Sequence, residues 1–340
     1  MKELVTRLAN LYGTSGREET IASVVKEELE KTADRVETDK FGNVTAEKKG
    51  TSDFSIMLAA HLDEIGLAVE KTDEEGFTYP TKVGGWDPRI LPSSPMKSKE
   101  GWGLVSKSPK ELKDKKERKK SVKFNELFIE SQNLSQGDFL VKDAQVAELG
   151  NPNILAGKGF DDRAGVAILI ETFKRLGEKT EANIYGVGTV QEEVGLRGAG
   201  VAAFKLDPDL AIVLEVALAD DMPVGNPHIP VVELGEGPAI TVKDATMISH
   251  QGLNKLLIQT AEEEGIPHQL ETLEHGGTDA GRIHITREGI PSSVIGIPTR
   301  YLHSPIEVID IRDLEKGVNL LTSVLPKLTK SKLESLSILD

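Results

Sequence analysis

The sequence predicts an α/β protein: a mostly parallel central sheet with helices on both faces, and a small β-rich domain inserted into it. Two observations carry this. Short, nearly continuous apolar runs, as needed by strands buried on both faces, alternate with stretches of helical periodicity. One long stretch, from about Val69 to Ala156, breaks that rhythm with Gly and Pro clusters and no long helical pattern. A chain of 340 residues has room for two domains.

Taken in order, the chain opens with Leu4, Leu8 and Leu11 at helical spacing among charges. That predicts an amphipathic helix and not a signal peptide. Ser15-Gly-Arg-Glu18 fits a capping box before Ile21, Val24, Val25 and Leu29, which share a helical face. A turn at Lys40–Asn43 separates two strand-like pieces. Phe54–Ala60 reads as a buried strand, and similar runs recur at Ala182–Val190, Leu210–Val216 and Ser293–Ile297. Helical patterns cover Arg163–Leu176, Ile248–Glu264 and Asp310–Leu328. The expected division is a discontinuous main domain, residues 1–68 and 157–340, around an inserted domain at 69–156. Within the insertion, the basic run Lys110–Lys120 reads as a solvated loop, with a substrate-facing flap as the alternative.

Composition removes several function classes. The net charge of −14 disfavours nucleic acid and anionic membranes as partners. No apolar run approaches the roughly 20 residues that span a bilayer, and a cytoplasmic protein is expected. There is no cysteine, so any metal site must be built from His and carboxylates.

Five places carry chemistry: His61-Leu-Asp63-Glu64, Asp161-Asp162-Arg163, Gln191-Glu192-Glu193, Glu215, and His303-Ser-Pro-Ile-Glu307. Each lies at or beyond an expected strand end, or in a loop entering a helix. In open α/β sheets, ligands bind outside the carboxyl ends of the strands. Two His and three carboxylates suit two divalent ions about 3.5–4 Å apart, and imidazole with carboxylate favours zinc, cobalt or manganese over calcium. Asp63 is placed to fix the tautomer of His61. Of the adjacent Glu192 and Glu193, one can bind metal while the other takes a proton from water. A glycosidase using paired carboxylates is the rival enzyme reading, but it leaves His61 and His303 without a role. A non-catalytic scaffold of the same fold is the other alternative.

The motifs His61-Leu-Asp-Glu-Ile-Gly66, Gly157-Lys-Gly-Phe-Asp-Asp-Arg163, Gln191-Glu-Glu-Val-Gly-Leu-Arg-Gly-Ala199, His275-Gly-Gly-Thr-Asp-Ala-Gly-Arg282 and Tyr301-Leu-His-Ser-Pro-Ile-Glu307 span nearly the whole chain. Together they resemble the glutamyl-aminopeptidase family of dinuclear metallopeptidases, which includes the tetrahedral aminopeptidases. The resemblance implies an aminopeptidase that acts on peptides with two divalent ions, zinc or cobalt. It implies Asp161 as the bridging ligand, His61 and Glu215 completing one ion, and Glu193 and His303 the other. It implies Glu192 as general base, Asp63 as the residue orienting His61, and His275, Gly276 and Gly277 beside the substrate. The chain departs from the family at Glu215, where Asp is usual. The insertion between Asp63 and Asp161 matches the family's dimerisation domain, so dimers and a dodecamer are expected.

Overall fold

The computed structural model describes residues 1–107, 116, 120–177, 180–223 and 232–336. Its large sheet is organised around Ser55–His61, a strand buried along its whole length. That strand runs parallel to Asn183–Thr189 on one side and Leu210–Leu218 on the other, and the latter runs parallel to Ser292–Arg300. The flanks are antiparallel. Arg35–Thr38 and Val44–Lys48 extend one side, while Glu307–Asp310, Asn151–Gly157 and Ala147–Leu149 extend the other. Off this path, Ala239–Lys243 pairs with Ser292–Arg300 and with Gln269–Thr272. The sheet is therefore mixed, with a parallel centre.

Alternation along Ser55–His61 divides the core. Ile56, Leu58 and Ala60 join one apolar cluster with Leu8 of helix Lys2–Asn10, Ile168 of helix Phe160–Arg175 and Leu321 of helix Ile311–Val324. Met57 and Ala59 face the other way, in a cluster with Ala202 of helix Arg197–Leu206 and Ile283 of the short helix Ala280–Ile283. A one-residue slip would exchange these faces, and each large apolar side chain buried contributes about 1.5–3 kcal/mol against it. Helix Arg197–Leu206 escapes periodicity reading because its buried face is made of small residues, Gly198, Ala199, Ala202 and Ala203.

Gly66–Thr72, Thr78–Val83, Pro95–Lys97, Trp102–Lys107, Leu127–Gln132 and Phe139–Lys142 close into a barrel around Leu67, Met96, Val105, Ile129 and Leu140. Closure leaves no unpaired strand edge. The stretch expected as the insertion, 69–156, runs on through Ala147–Leu149 and most of Asn151–Gly157, which pair with the large sheet and not the barrel. Apolar alternation marks a strand without saying which sheet it joins. Of the basic run Lys110–Lys120, all but Lys116 and Lys120 lie outside the described residues.

The expected capping box is not formed. Glu18 occupies the N-cap of helix Glu19–Leu29 without a side-chain cap bond. Ser15 donates to Asp63 Oδ2 at 2.5 Å, and Glu18 Oε1 accepts from the N–H groups of Gly16 and Gln191. Both side chains brace the segments that carry Asp63 and Gln191. Among the described residues, no helix is long and apolar enough to cross a membrane.

Candidate metal centre

The parallel strands bring their carboxyl ends to one edge. His61 ends its strand and pairs with Thr189, after which the chain turns through Gln191, Glu192 and Glu193. On the other side Val213 pairs with Ala59, so Glu215, two residues on, lies level with His61. Ser292–Arg300 then leads into the loop that carries His303. Asp161 comes from the start of the Phe160–Arg175 segment, where Asp161 and Asp162 depart from helical geometry. Asp162 Oδ1 accepts the Gly165 N–H at 3.0 Å, and Oδ2 accepts the His61 N–H at 3.1 Å. One aspartate thus caps the regular helix, leaving its neighbour to face the imidazoles.

Two clusters result, sharing Asp161: His61 with Asp161 and Glu215, and Asp161 with Glu193 and His303. Asp161 Oδ1 is 3.0 Å from His61 Nε2, and Oδ2 is 3.4 Å from His303 Nε2. Glu215 Oε1 lies 3.4 Å from His61 Nε2, and Glu193 Oε2 lies 3.3 Å from His303 Nε2. Glu192 stands just outside both, with Oε2 at 4.0 Å from His61 Nε2.

The ligand-type side chains are themselves held. His61 Nδ1 is 3.0 Å from the Asp63 carbonyl and 3.5 Å from its carboxylate, so the nearer acceptor is the backbone. The Asp63 carboxylate, fully buried, accepts the N–H groups of Glu192 and Glu193 at 3.0 and 3.2 Å. Asp63 therefore holds the first histidine chiefly through its backbone carbonyl and the Glu192-Glu193 turn through its carboxylate. Beneath Asp161, the Glu307 carboxylate accepts the Asp161 N–H at 3.2 Å and takes Lys142 Nζ at 3.0 Å. The same ammonium donates to the Ser304 carbonyl, next to His303. Lys142 ends a barrel strand, so the barrel reaches into the support of the second cluster. The barrel loop touches it too: a Cβ on Gly85 would fall 2.8 Å from His303 Nδ1.

Electrostatics shows what the site demands. Burial opposes charge on His303, yet Asp161 and Glu193 raise its pKa to about 11. For His61, burial is likewise outweighed, by Glu215, Asp161 and Asp63, and its pKa rises well above the usual imidazole value. Glu192 is pushed well up, by burial and then by Glu215, Glu193 and Asp279 against the opposing pull of His61. The surrounding carboxylates thus favour positive charge at both imidazoles. A divalent ion would supply it in place of protons. Glu193 Oε1 is buried and has no hydrogen-bond partner, a lone pair left for a ligand. Mixed imidazole and carboxylate donors suit zinc or cobalt, so the residues fit two divalent ions.

The clusters open into a cavity of about 680 Å³, lined also by Leu218, Asp244, Glu271, His275, Gly276 and Gly277. The two glycines serve different ends. Gly276 adopts φ +82°, whereas a Cβ on Gly277 would meet Thr246 Cγ2 at 2.4 Å. All the site residues singled out in the sequence meet at this edge. Lys142, Asp244 and Glu271 were not singled out, since a lone Lys, Asp or Glu in a strand pattern carries no motif. Other described histidines serve the backbone: His250 caps helix Gln251–Glu263, and His268 and His284 lie within bonding distance of the Ile266 and Ala280 carbonyls.

The profile of the M42 glutamyl aminopeptidase family matches residues 42–320. The chain belongs to that family. It is similar over 96% of its length to 98% of a protein from Acetivibrio thermocellus named "Putative aminopeptidase", at 39% identity. Its fold matches the crystal structure of a TET aminopeptidase from the marine sediment archaeon Thaumarchaeota archaeon SCGC AB-539-E09, with a TM-score of 0.94 and 35% identity over 99% of this chain and 98% of that one. It also matches the Pyrococcus horikoshii TET1 peptidase, described as able to assemble into a tetrahedron or a large octahedral shell. There the TM-score is 0.86 and the identity 30%, over 96% of this chain and 99% of that one. M42 membership makes the chain an aminopeptidase-type hydrolase, and the buried cluster of His and acidic residues accords with the family's dependence on metal.

Proposed function

We propose that this M42 protein removes the first residue of peptides by a water attack supported at two divalent-ion sites. The observation that carries the reading is the Asp161 carboxylate, one oxygen toward each imidazole. His61 and Glu215 would complete one ion, and Glu193 and His303 the other. Bound zinc or cobalt ions would supply Lewis acidity toward the scissile carbonyl and lower the pKa of water. The protein's own groups do the rest. Glu192 accepts the proton released by the attacking water as the C–O bond forms. It returns that proton to the amine nitrogen as the C–N bond breaks. Asp63 holds the backbone that aims Glu192, and the cavity beside His275, Gly276 and Gly277 receives the first side chain.

Dialysis against a strong chelator is expected to reduce release of N-terminal residues to background, and added zinc or cobalt to restore it. Full peptide cleavage by protein shown to be metal-free would sink the proposal. So would chelator-resistant hydrolysis of a glucan.

We further propose that the barrel mediates dimers, and that dimers build a dodecameric shell like those named for its relatives. Light scattering should then return a mass many times that of the 36.9 kDa chain. A strictly monomeric protein over a wide concentration range would defeat this. A stable dimer would keep the barrel interface and remove the shell.

A further inference from the structure

We infer that the cavity selects peptides whose first residue is cationic, lysine or arginine, with Glu271 and Asp244 as the counter-charges for its side chain. The inference rests on the aminopeptidase reading and adds its substrate class. Two carboxylates outside the metal-type clusters line the cavity. Glu271 is 5% exposed and lines the cavity. Its Oε1 accepts the Leu218 N–H at 3.2 Å and its Oε2 the Thr241 hydroxyl at 3.0 Å, so the carboxylate is fixed in place. Asp244 is 3% exposed and lines the same cavity. Its Oδ1 accepts the N–H groups of Thr246 and Met247 and the Thr246 hydroxyl. Its Oδ2 is buried with no partner. Leaving such an oxygen unsatisfied is costly, and an ammonium or guanidinium donor entering the cavity would relieve it.

Distance and charge both fit. Leu218, which anchors Glu271, lies three residues beyond Glu215 on one strand. At about 3.3 Å per residue, its backbone is roughly 10 Å along the strand from that of Glu215. An extended lysine side chain covers about 6 Å between Cα and Nζ, so a first residue bound at the ions brings its ammonium toward these carboxylates. Val216, Leu218 and Leu273 line the way and can cover the methylene stem, as apolar surface does for buried lysines. Among the described residues, no Lys or Arg lines the cavity. The neighbouring Lys243 donates to the Leu273 carbonyl at 3.1 Å. Burial, with Asp244 adding to it, pushes Glu271 up to about 7, as expected of a carboxylate lacking its cation. An N-terminal glutamate would add a third carboxyl group there, with no cation to offset it.

The test compares aminoacyl-coumarin amides on the zinc- or cobalt-loaded protein. Lysine and norleucine share stem length and differ in charge. The kcat/KM for lysine should exceed that for norleucine by about 10-fold or more, with glutamate slowest. Glu271→Gln keeps the shape and should lower the lysine-to-norleucine ratio by about 10-fold, and Asp244→Asn should move the ratio the same way. Norleucine equal to or faster than lysine on the wild-type protein would overturn the inference and leave the aminopeptidase reading intact. So would an unchanged ratio in both variants. Failure to release any of these residues by the loaded protein would overturn both together.

Discussion

Replacing Glu192 by Gln is expected to lower kcat by about 10²–10⁴-fold while both divalent ions stay bound. Glu192 belongs to neither cluster of ligand atoms, so its loss should not empty the site. It is only 8% exposed, and burial together with Glu215, Glu193 and Asp279 lifts its pKa well above the usual carboxylate value. A raised pKa brings a carboxyl group closer to the pH at which it both accepts and returns a proton. The amide of Gln has the same outline and can do neither. KM should change little, because the effect is confined to the proton transfers. The check is turnover together with metal content per chain. Near-normal kcat would remove Glu192 from the role of base, and loss of an ion would make it a ligand instead.

Asp161→Ala is expected to weaken both ions by more than about 100-fold, beyond the range seen when a group behind a ligand is lost. His303→Ala should chiefly weaken one. The asymmetry follows from the shared carboxylate: His61 Nε2 and His303 Nε2 lie against different oxygens of Asp161. Without it, the remaining carboxylates would sit on opposite sides of a gap with nothing to offset ion–ion repulsion. Calorimetric titration of the metal-free protein with zinc reads both affinities. Asp161→Asn, closer in shape, guards against a fold lost in the alanine variant. Two tightly held ions in either variant would end the bridging assignment.

Much of the architecture was legible because strands and helices announce themselves by period. Ser55–His61 and helix Ile311–Val324 sit close to where apolar spacing puts them. The candidate site residues were legible for a different reason: their motifs fall toward the carboxyl ends of the parallel strands or in the turn entering a helix, and the parallel register collects them. What the sequence hid is held by single side chains without a pattern. Ser15 and Glu18 look like a helix start, but buried partners at Asp63 and Gln191 claim them. The pairing of Asn151–Gly157 with Glu307–Asp310 joins segments far apart in the chain, and no local rule predicts it. Glu215, where the family resemblance leads one to expect Asp, still brings its carboxylate to within 3.4 Å of His61 Nε2.

The buried ion pair between Lys142 and Glu307, each 1% exposed, limits how independently the barrel and the large sheet can be exchanged. A chimera that took its barrel from a relative lacking a lysine at this point would leave the Glu307 carboxylate alone in the interior, a loss of about 3–5 kcal/mol. The fault would surface across the domain boundary, at the Asp161 backbone and the His303 loop. The two positions therefore act as one physical unit. Any recombination between family members has to carry them together, or neutralise both.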